Sequence, residues 1–368
     1  MKIICSKNSL SNGLQIVTKA VPSKTTMSIL ECILIDATTD KIKLTANDME
    51  LGIETMIDGE ISEKGVIALD AKMLFDIVRK LPDNEITIQT DDSFKTNIKC
   101  ESAKFSLVGK SGEEFSFLPQ IEKNNSVILS QFSLKEIIRQ TIFSIASNET
   151  NKIMTGELFE IKDNTFKVVS LDGHRISIRK IELKNSYEEK KVIVPGKTLN
   201  EISKILKDNT DSDVTISISS KHILFEFENT IVVSRLIDGE FFKIDQMLMN
   251  DYETKVKINK KNFLDSIDRS TLFIREKNNS PFIMDVTDEK VEISVNCAIG
   301  SMKEEIEIEK KGKDILIGFN PYYLMEALKV IDEEEITLFM VNSKAPCYIK
   351  NEKENYTYLI LPVNFTKQ

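Results

Sequence analysis

The sequence predicts an α+β protein made of three tandem domains, each with two helices and antiparallel sheets. A helical segment recurs three times at constant spacing, strand-like runs of alternating polarity accompany it, and glycine-rich nucleotide-binding fingerprints are absent. Alternating polarity is typical of antiparallel strands with one solvated face. The missing fingerprints argue against a parallel nucleotide-binding sheet.

The repeat is clearest in the second helix of each domain. The matching segments begin at Asp70, Pro195 and Asn320, so the offsets are 195 − 70 = 125 and 320 − 195 = 125 residues. Apolar positions spaced i, i+3, i+7 coincide at this offset and mark a helix face packed on a core. One such set is Leu74, Leu199 and Leu324.

The other elements follow in the same order in each domain. First helices are predicted in residues 9–21, 132–146 and 262–274. Each leads into two strands, predicted at 29–35 with 41–48, 157–161 with 166–173, and 281–286 with 291–297. Strands also follow the second helices, at 85–88, 213–218 and 335–340. We expect domains at residues 1–126, 127–252 and 253–368, because units of this length form their own cores.

The composition is that of a cytoplasmic globular protein. No apolar run approaches the roughly 18–20 residues that cross a bilayer, and the N-terminus lacks a secretory apolar segment. The five cysteines are odd in number and without CxxC pairs, so we expect buried thiols, no zinc site and no cofactor. A net charge of −9 argues against a protein that coats nucleic acid with its whole surface, but it permits a local basic stripe.

Cations also recur at the repeat spacing. Lys72 corresponds to Lys197, and Arg79 corresponds to Lys204 and Lys329. Residues seven apart lie on one helical face. The second helix of the first repeat and the second helix of the middle repeat therefore each carry a pair of cations on one face. A solvated helix surface and a DNA-facing surface both remain open as interpretations.

Three motifs, together with their order and separation, carry a resemblance along the whole chain. They are KMLFDIVRKLP at residues 72–82, SLDGHRISI at 170–178 and YTYLILPVNF at 356–365. In this combination the chain resembles the bacterial DNA sliding clamp, the beta subunit of DNA polymerase III holoenzyme. The resemblance implies a head-to-tail homodimer that forms a ring of six similar domains around double-stranded DNA. It also implies partners that carry a clamp-binding peptide, namely the replicative polymerase, the clamp loader and other proteins. It implies no binding to a membrane.

The resemblance further implies two sets of surface residues. The DNA-facing set is Lys24, Lys72, Arg79, Asn148, Lys197 and Lys204. The dimer interface set is Phe105, Leu107, Leu272 and Phe273. Ordinary core packing is the alternative for the interface residues.

The segment SLDGHRISI admits two functional interpretations. Asp172 corresponds to Asp48 and Cys297 after strands of the same pattern, so it should lie in a turn. One hypothesis is hydrolysis, with His174 as general base oriented by Asp172. Spacing alone cannot form that orienting bond, and neither a nucleophile elbow nor a metal set accompanies the pair, so we expect no catalysis.

The second interpretation, implied by the resemblance, is one wall of a groove for an extended peptide with a Gln near its start and hydrophobic residues at its end. That wall is Met154, Leu171, Gly173, His174, Arg175 and Ile176. The remaining groove residues are Phe242, Met247, Asn320, Tyr323, Pro346, Leu359 and Leu361. An interdomain core is the structural alternative for the apolar members. Many family members have Pro, Thr and Arg in place of Phe242, Leu171 and Gln246, so this groove is more apolar and less cationic than the family pattern.

Two other functions compete with the clamp. A multidomain interaction scaffold without a DNA role could use the same body, although the repeated cations argue against it. An enzyme acting on nucleic acid would need an acidic metal constellation, which the sequence lacks.

Overall fold

The computed structural model describes residues 1–123, 125–147, 150–208, 212–248, 251–274 and 281–365. The chain packs as two compact units. The first unit contains residues 1–134 and 201–236, and the second contains residues 135–200 and 237–368. The predicted domain bounds, 1–126, 127–252 and 253–368, stay a prediction.

The first repeat contains two helices and ten strands among its described residues. The helices are α1 (Lys7–Val17) and α2 (Ala71–Lys80). The strands are β1 (Lys2–Ser6), β2 (Cys32–Asp36), β3 (Ile42–Asn47), β4 (Leu51–Ile57), β5 (Glu60–Glu63), β6 (Val66–Asp70), β7 (Glu85–Thr90), β8 (Lys95–Cys100), β9 (Ala103–Val108) and β10 (Lys110–Ser111).

The second repeat has fewer strands, and two of them, β12 and β13, are long. Its helices are α3 (Gln131–Arg139) and α4 (Gly196–Ile205). The strands are β11 (Val127–Ser130), β12 (Gly156–Leu171), β13 (Arg175–Pro195), β14 (Asp213–Ile218), β15 (His222–Phe227) and β16 (Thr230–Arg235).

The third repeat returns to the pattern of the first. Its helices are α5 (Lys260–Ser270) and α6 (Pro321–Val330). The strands are β17 (Thr254–Asn259), β18 (Phe282–Val286), β19 (Lys290–Cys297), β20 (Gly300–Glu307), β21 (Glu309–Gly312), β22 (Ile315–Phe319), β23 (Glu335–Met340), β24 (Cys347–Lys350) and β25 (Tyr356–Ile360).

Four antiparallel sheets hold these strands. The first unit has sheets ordered β5-β1-β7-β8-β9 and β10-β6-β2-β3-β4-β16-β15-β14-β11. The second unit has sheets ordered β12-β13-β25-β24-β23-β17-β21 and β20-β19-β18-β22. The middle repeat therefore joins the first repeat through β4 and β16, and the third repeat through β13 and β25. This sharing explains why three repeats pack as two units.

The six predicted helices are all confirmed, and their starts follow the sequence. Polar side chains cap four of them: Ser6, Asp70, Asn259 and Asn320 each accept a hydrogen bond from a backbone N–H in the first turn. Such caps satisfy donors that have no partner inside the helix. The buried face of α2 contains Leu74, as the periodicity predicts.

Several predicted bounds differ from the structure, and the strand predicted over 29–35 begins only at Cys32. Strands 157–161 and 166–173 form one strand, β12, because its pairing with β13 continues through register shifts around Asp163, whose φ is 52°. The helices predicted over 9–21, 132–146 and 262–274 all end early, at Val17, Arg139 and Ser270. A 3₁₀ turn follows each of them, at Thr18–Ala20, Ile142–Ser144 and Thr271–Phe273.

The prediction of buried thiols is confirmed for four of the five cysteines. All five are free, four are buried, and Cys297 is half-buried. Burial raises the pKa of Cys5 and Cys347 to about 12, so neither is a thiolate at neutral pH. None of the helices in the described ranges has the length and apolar character to span a bilayer.

Candidate functional site

The predicted turn at Asp172 is confirmed and lies between β12 and β13 in the second unit. The Asp172 carboxylate accepts hydrogen bonds from the backbone N–H groups of His174 (3.0 Å) and Arg175 (3.2 Å). Gly173 has a φ of +88°, a conformation that glycine adopts without steric cost. A Cβ built on Gly173 would meet no atom within 4 Å, so this backbone faces open space.

The Arg175 side chain ties this turn to two other parts of the second unit. The side chain is 8% exposed, and its guanidinium donates to the Asp172 carboxylate at 3.0 Å. It also donates to the Glu326 carboxylate on α6 and to the backbone carbonyl of Phe143. Two carboxylates therefore balance a buried cation whose desolvation would otherwise be costly.

Aromatic rings enclose the same guanidinium. Its central carbon lies 4.6 Å from the ring centroid of Tyr323 and 5.3 Å from that of Phe143. The His174 ring stacks on Tyr323 with centroids 5.6 Å apart. Burial raises the pKa of the Tyr323 hydroxyl, and the Asp172 carboxylate raises it further, so this group remains protonated at neutral pH.

The C-terminal strand region joins the turn through the backbone. The N–H of Leu361 donates to the carbonyl of His174 at 2.8 Å. This bond extends the pairing of β13 with β25, in which Ile176 faces Leu359. Leu361 is one of the exposed large apolar residues, whereas Ile176 and Leu359 are buried.

Five of the predicted groove residues belong to one apolar cluster in the second unit. Leu171, Ile176 and Leu359 are buried within it, and Met154 and Phe242 pack against it while remaining partly exposed. The cluster therefore has buried residues at its centre and partly exposed residues at its edge.

The chain segment that contains Phe242 and Met247 is anchored to the same cluster. Ile244 is buried in the cluster, and the Tyr348 hydroxyl donates to the backbone carbonyl of Met247 at 3.1 Å. Met247 keeps an exposed side chain. A flexible thioether at the edge of an apolar surface can adapt to different ligands.

Two predicted groove residues have other or less defined roles. The Asn320 side chain caps α6 by accepting a hydrogen bond from the N–H of Tyr322 at 3.0 Å. Pro346 is half-buried immediately before β24.

The arrangement does not support hydrolysis. Asp172 uses its carboxylate on the backbone of its own turn and on Arg175, not on the His174 ring. Within the described ranges, His, Cys, Asp and Glu side chains form no group that could hold a metal ion.

The predicted DNA-facing cations are exposed. Lys24 lies in the loop before β2, Lys72 and Arg79 lie on α2, and Lys197 and Lys204 lie on α4. Arg79 pairs with Asp76 at 3.3 Å, and Lys204 pairs with Glu201 at 2.8 Å. Asn148 lies outside the described residues.

The predicted interface residues lie beside edge strands. Phe105 and Leu107 are on β9, an edge strand of the first unit, and Phe105 is 40% exposed. Leu272, 77% exposed, and the half-buried Phe273 lie in the 3₁₀ turn, which contacts the edge strand β20 in the second unit. Core packing thus does not account for Leu272, while Phe273 packs partly against the core.

Three residues of the site were not predicted from the sequence: Phe143, Glu326 and Tyr348. Phe143 and Tyr348 act through a backbone carbonyl and a long-range hydroxyl bond, for which the sequence carries no signal. Glu326 did have a signal, because it lies 125 residues after Glu201 and 250 after Asp76, from 326 − 201 and 326 − 76.

Comparison with known proteins covers the chain from end to end. Residues 1–119, 128–243 and 245–364 match the families described as the N-terminal, central and C-terminal domains of the DNA polymerase III beta subunit. The beta sliding clamp of Staphylococcus epidermidis is 34% identical over 374 residues, which cover 99% of both chains.

Solved structures agree with this relationship. A DNA polymerase III beta subunit from Eubacterium rectale superposes with a TM-score of 0.97 at 64% identity, over 100% of both chains. The DNA polymerase sliding clamp of Bacillus subtilis superposes with a TM-score of 0.96 at 33% identity, again over 100% of both chains. The chain therefore belongs to the DNA polymerase III beta subunit family, the bacterial DNA sliding clamps.

Proposed function

We propose that the protein is a ring-shaped sliding clamp that encircles duplex DNA without sequence specificity and tethers the replicative polymerase and other clients. Membership of the family makes it a processivity factor and not an enzyme. In this proposal residues 1–126, 127–252 and 253–368 are the three clamp domains. The protein acts in the cytoplasm, on the nucleoid.

The observation that carries the DNA role is the recurrence of exposed cations on α2 and α4. Lys72 with Arg79, and Lys197 with Lys204, lie seven residues apart on their helices, opposite the buried faces. Contacts to phosphate position a protein on DNA without reading its sequence. A scaffold without a DNA role would have no need for this spacing to recur.

The ring requires two different surfaces to meet head to tail. The edge strand β9 with Phe105 supplies one, and the edge strand β20 with Leu272 supplies the other. Edge strands offer unpaired backbone groups to a second chain. Exposed apolar side chains beside both edges favour such a contact.

The groove proposal rests on the turn at Gly173 beside the apolar cluster. The open space at Gly173 permits close approach of a peptide backbone, and the partly exposed Met154, Phe242 and Met247 offer apolar contacts. We therefore propose that the groove binds the hydrophobic end of an extended client peptide.

Calorimetric titration of a Gln-Leu-Xaa-Leu-Phe-type peptide tests the groove. The wild type should bind it, and Gly173→Glu should abolish the binding heat, because the new side chain projects into the open space. If Gly173→Glu binds as the wild type does, or if the wild type does not bind, the groove assignment is wrong.

A second variant separates the effect of side-chain size at residue 173 from the effect of backbone strain. Asparagine tolerates a positive φ better than other non-glycine residues, so Gly173→Asn tests a small side chain with little strain. We expect Gly173→Asn to retain more affinity than Gly173→Glu. Equal loss in both, accompanied by a lower melting temperature, would assign the effect to the turn and not to the groove.

A measurement of retention on circular DNA distinguishes a sliding clamp from a scaffold without a DNA role. A clamp loaded on nicked circular DNA by its clamp loader and ATP should stay bound during gel filtration and should leave when the DNA is linearised. A scaffold would show no dependence on DNA topology.

A further inference from the structure

The helices that carry the proposed DNA-facing cations also carry an acidic residue at a repeated position. Asp76, Glu201 and Glu326 are separated by 201 − 76 = 125 and 326 − 201 = 125 residues. In α2 and α4 the acidic residue lies four residues after a lysine and three residues before the next cation. Each face therefore reads cation, acid, cation.

The first two acids bind the cation that follows them. Asp76 pairs with Arg79 at 3.3 Å, and Glu201 pairs with Lys204 at 2.8 Å. Both pairs join residues three apart on one helix, so folding of the helix alone brings each pair together.

The third acid shows that spacing alone does not decide the partner. Glu326 has Lys329 three residues later, but its carboxylate binds the guanidinium of Arg175. Lys329 is exposed and forms no ion pair with any other residue in the described ranges. The acid thus retains its cation only in the helices of the first and second repeats.

We propose that Asp76 and Glu201 restrain the neighbouring cations and thereby weaken the contact of the clamp with DNA. This inference rests on the proposed DNA-encircling function. Each carboxylate reduces the charge of its helix face from two cations to a net of one, and it competes with phosphate for Arg79 or Lys204. Sliding needs contacts that are weak enough to break continually. An acidic residue between two phosphate-facing cations would keep these contacts weak.

The test compares the double variant Asp76→Asn/Glu201→Gln with the wild type. Both substitutions keep side-chain size and remove the ion pairs. We expect DNA affinity, measured by anisotropy of a fluorescent duplex, to rise about twofold for each pair removed, since an exposed helix pair has that strength. The slope of log affinity against log salt should steepen, because more phosphate contacts form.

Mobility provides the second readout. On stretched DNA, single loaded clamps of the double variant should diffuse more slowly than the wild type, with the difference disappearing as salt is raised.

A matched double variant controls for the added charge. Glu63 and Asp83 are exposed carboxylates of the first repeat that form no ion pair with other described residues. Glu63→Gln/Asp83→Asn changes the net charge equally but leaves both helix pairs intact. If it equals Asp76→Asn/Glu201→Gln in affinity and mobility, net charge accounts for the effect and the inference is wrong.

The behaviour of the wild type shows whether the proposed function or only the further inference has failed. If wild-type clamp is not retained on circular DNA, the proposed function itself fails. If it is retained and released on linearisation, but the double variant slides as fast as the wild type, only the restraining role of Asp76 and Glu201 is refuted.

Discussion

Glu157 is a buried acid for which the groove and the DNA-facing helices provide no role. It lies on β12 opposite Val194, is fully buried, and its carboxyl oxygens have no hydrogen-bond partner among the described residues. The Thr141 hydroxyl donates to the carbonyl of Ile137 at 2.7 Å and so leaves the carboxyl without its bond. Burial dominates and raises the pKa of Glu157 to about 8.

This buried acid predicts a specific pH dependence of stability. The folded pKa lies above the unfolded value of about 4.3, so the folded state binds the extra proton between these two values. The contribution of Glu157 to stability is therefore greatest below its unfolded pKa and falls as pH rises toward 8, by up to about 1.4 kcal/mol per pH unit. Glu157→Gln should remove this slope. Melting temperatures from pH 5.5 to 8.5 should show its advantage over the wild type increasing with pH.

Glu160, three residues along the same strand, provides the control. Lys167 and Lys191 bind its carboxylate, and these ion pairs outweigh burial and hold its pKa below the ordinary value. Glu160→Gln should therefore shift the melting temperature by the same amount across pH 5.5 to 8.5. A Glu157→Gln curve parallel to the wild type would mean that the carboxyl of Glu157 is already ionised in the folded state across this range, as it is in the unfolded state.

The Asp172 turn shows how far single residues could be predicted. Asp and Gly after a strand indicate a turn, and the hydrogen bonds of Asp172 and the positive φ of Gly173 confirm it. The contacts of Arg175 with Glu326 and Phe143 could not be predicted, because they depend on packing between segments distant in sequence. Local turn chemistry is encoded within a few residues, whereas a buried ion pair needs the complete fold.

At the scale of elements, the cation-bearing helices make a prediction about DNA binding. Lys72→Glu with Lys197→Glu should lower retention on circular DNA and leave folding intact, since both side chains are exposed. Each lost phosphate contact should reduce the slope of log affinity against log salt by about 0.9. Duplex binding measured over a salt series gives that slope, and circular dichroism checks the fold.

Two exposed lysines outside α2 and α4 serve as the comparison. Lys261→Glu with Lys353→Glu reverses the same number of charges at exposed positions. If both double variants reduce the slope equally, overall charge governs binding. If Lys72→Glu with Lys197→Glu leaves low-salt retention unchanged, these lysines do not face DNA.

The lengths of elements were less predictable than their order. The helices followed the apolar spacing because each packs one face on a core. The joining of two predicted strands into β12 depends on β13, which continues the pairing past the polar residues near Asp163. A pattern that covers one strand cannot report how far its partner extends.

At the scale of the molecule, shared sheets decide how the repeats pack. The buried hydroxyls of Thr55 and Thr230 are 2.8 Å apart where β4 meets β16, and Arg175 faces Ile360 where β13 meets β25. The 125-residue repeat identified three similar segments, but periodicity carries no information about which strands pair between them. The two units and the four sheets therefore required the structure.

The proposed ring makes a prediction that only the assembled molecule can satisfy. A head-to-tail contact joins two different surfaces, so a closed dimer contains two copies of the same interface. Leu272→Ala/Phe273→Ala alters one surface, and Phe105→Ala/Leu107→Ala alters the other. Each variant alone loses both interfaces of the ring and should be monomeric in light scattering.

An equimolar mixture of the two variants distinguishes this arrangement from a symmetric dimer. In a head-to-tail dimer the intact surface of one variant meets the intact surface of the other, so one interface is restored and open heterodimers should form. A contact between identical surfaces would give no such rescue. Because Phe273 packs partly against the core, Leu272→Ala alone, at a largely exposed position, separates interface loss from misfolding. Dimers that persist in both double variants would show that these surfaces do not form the ring.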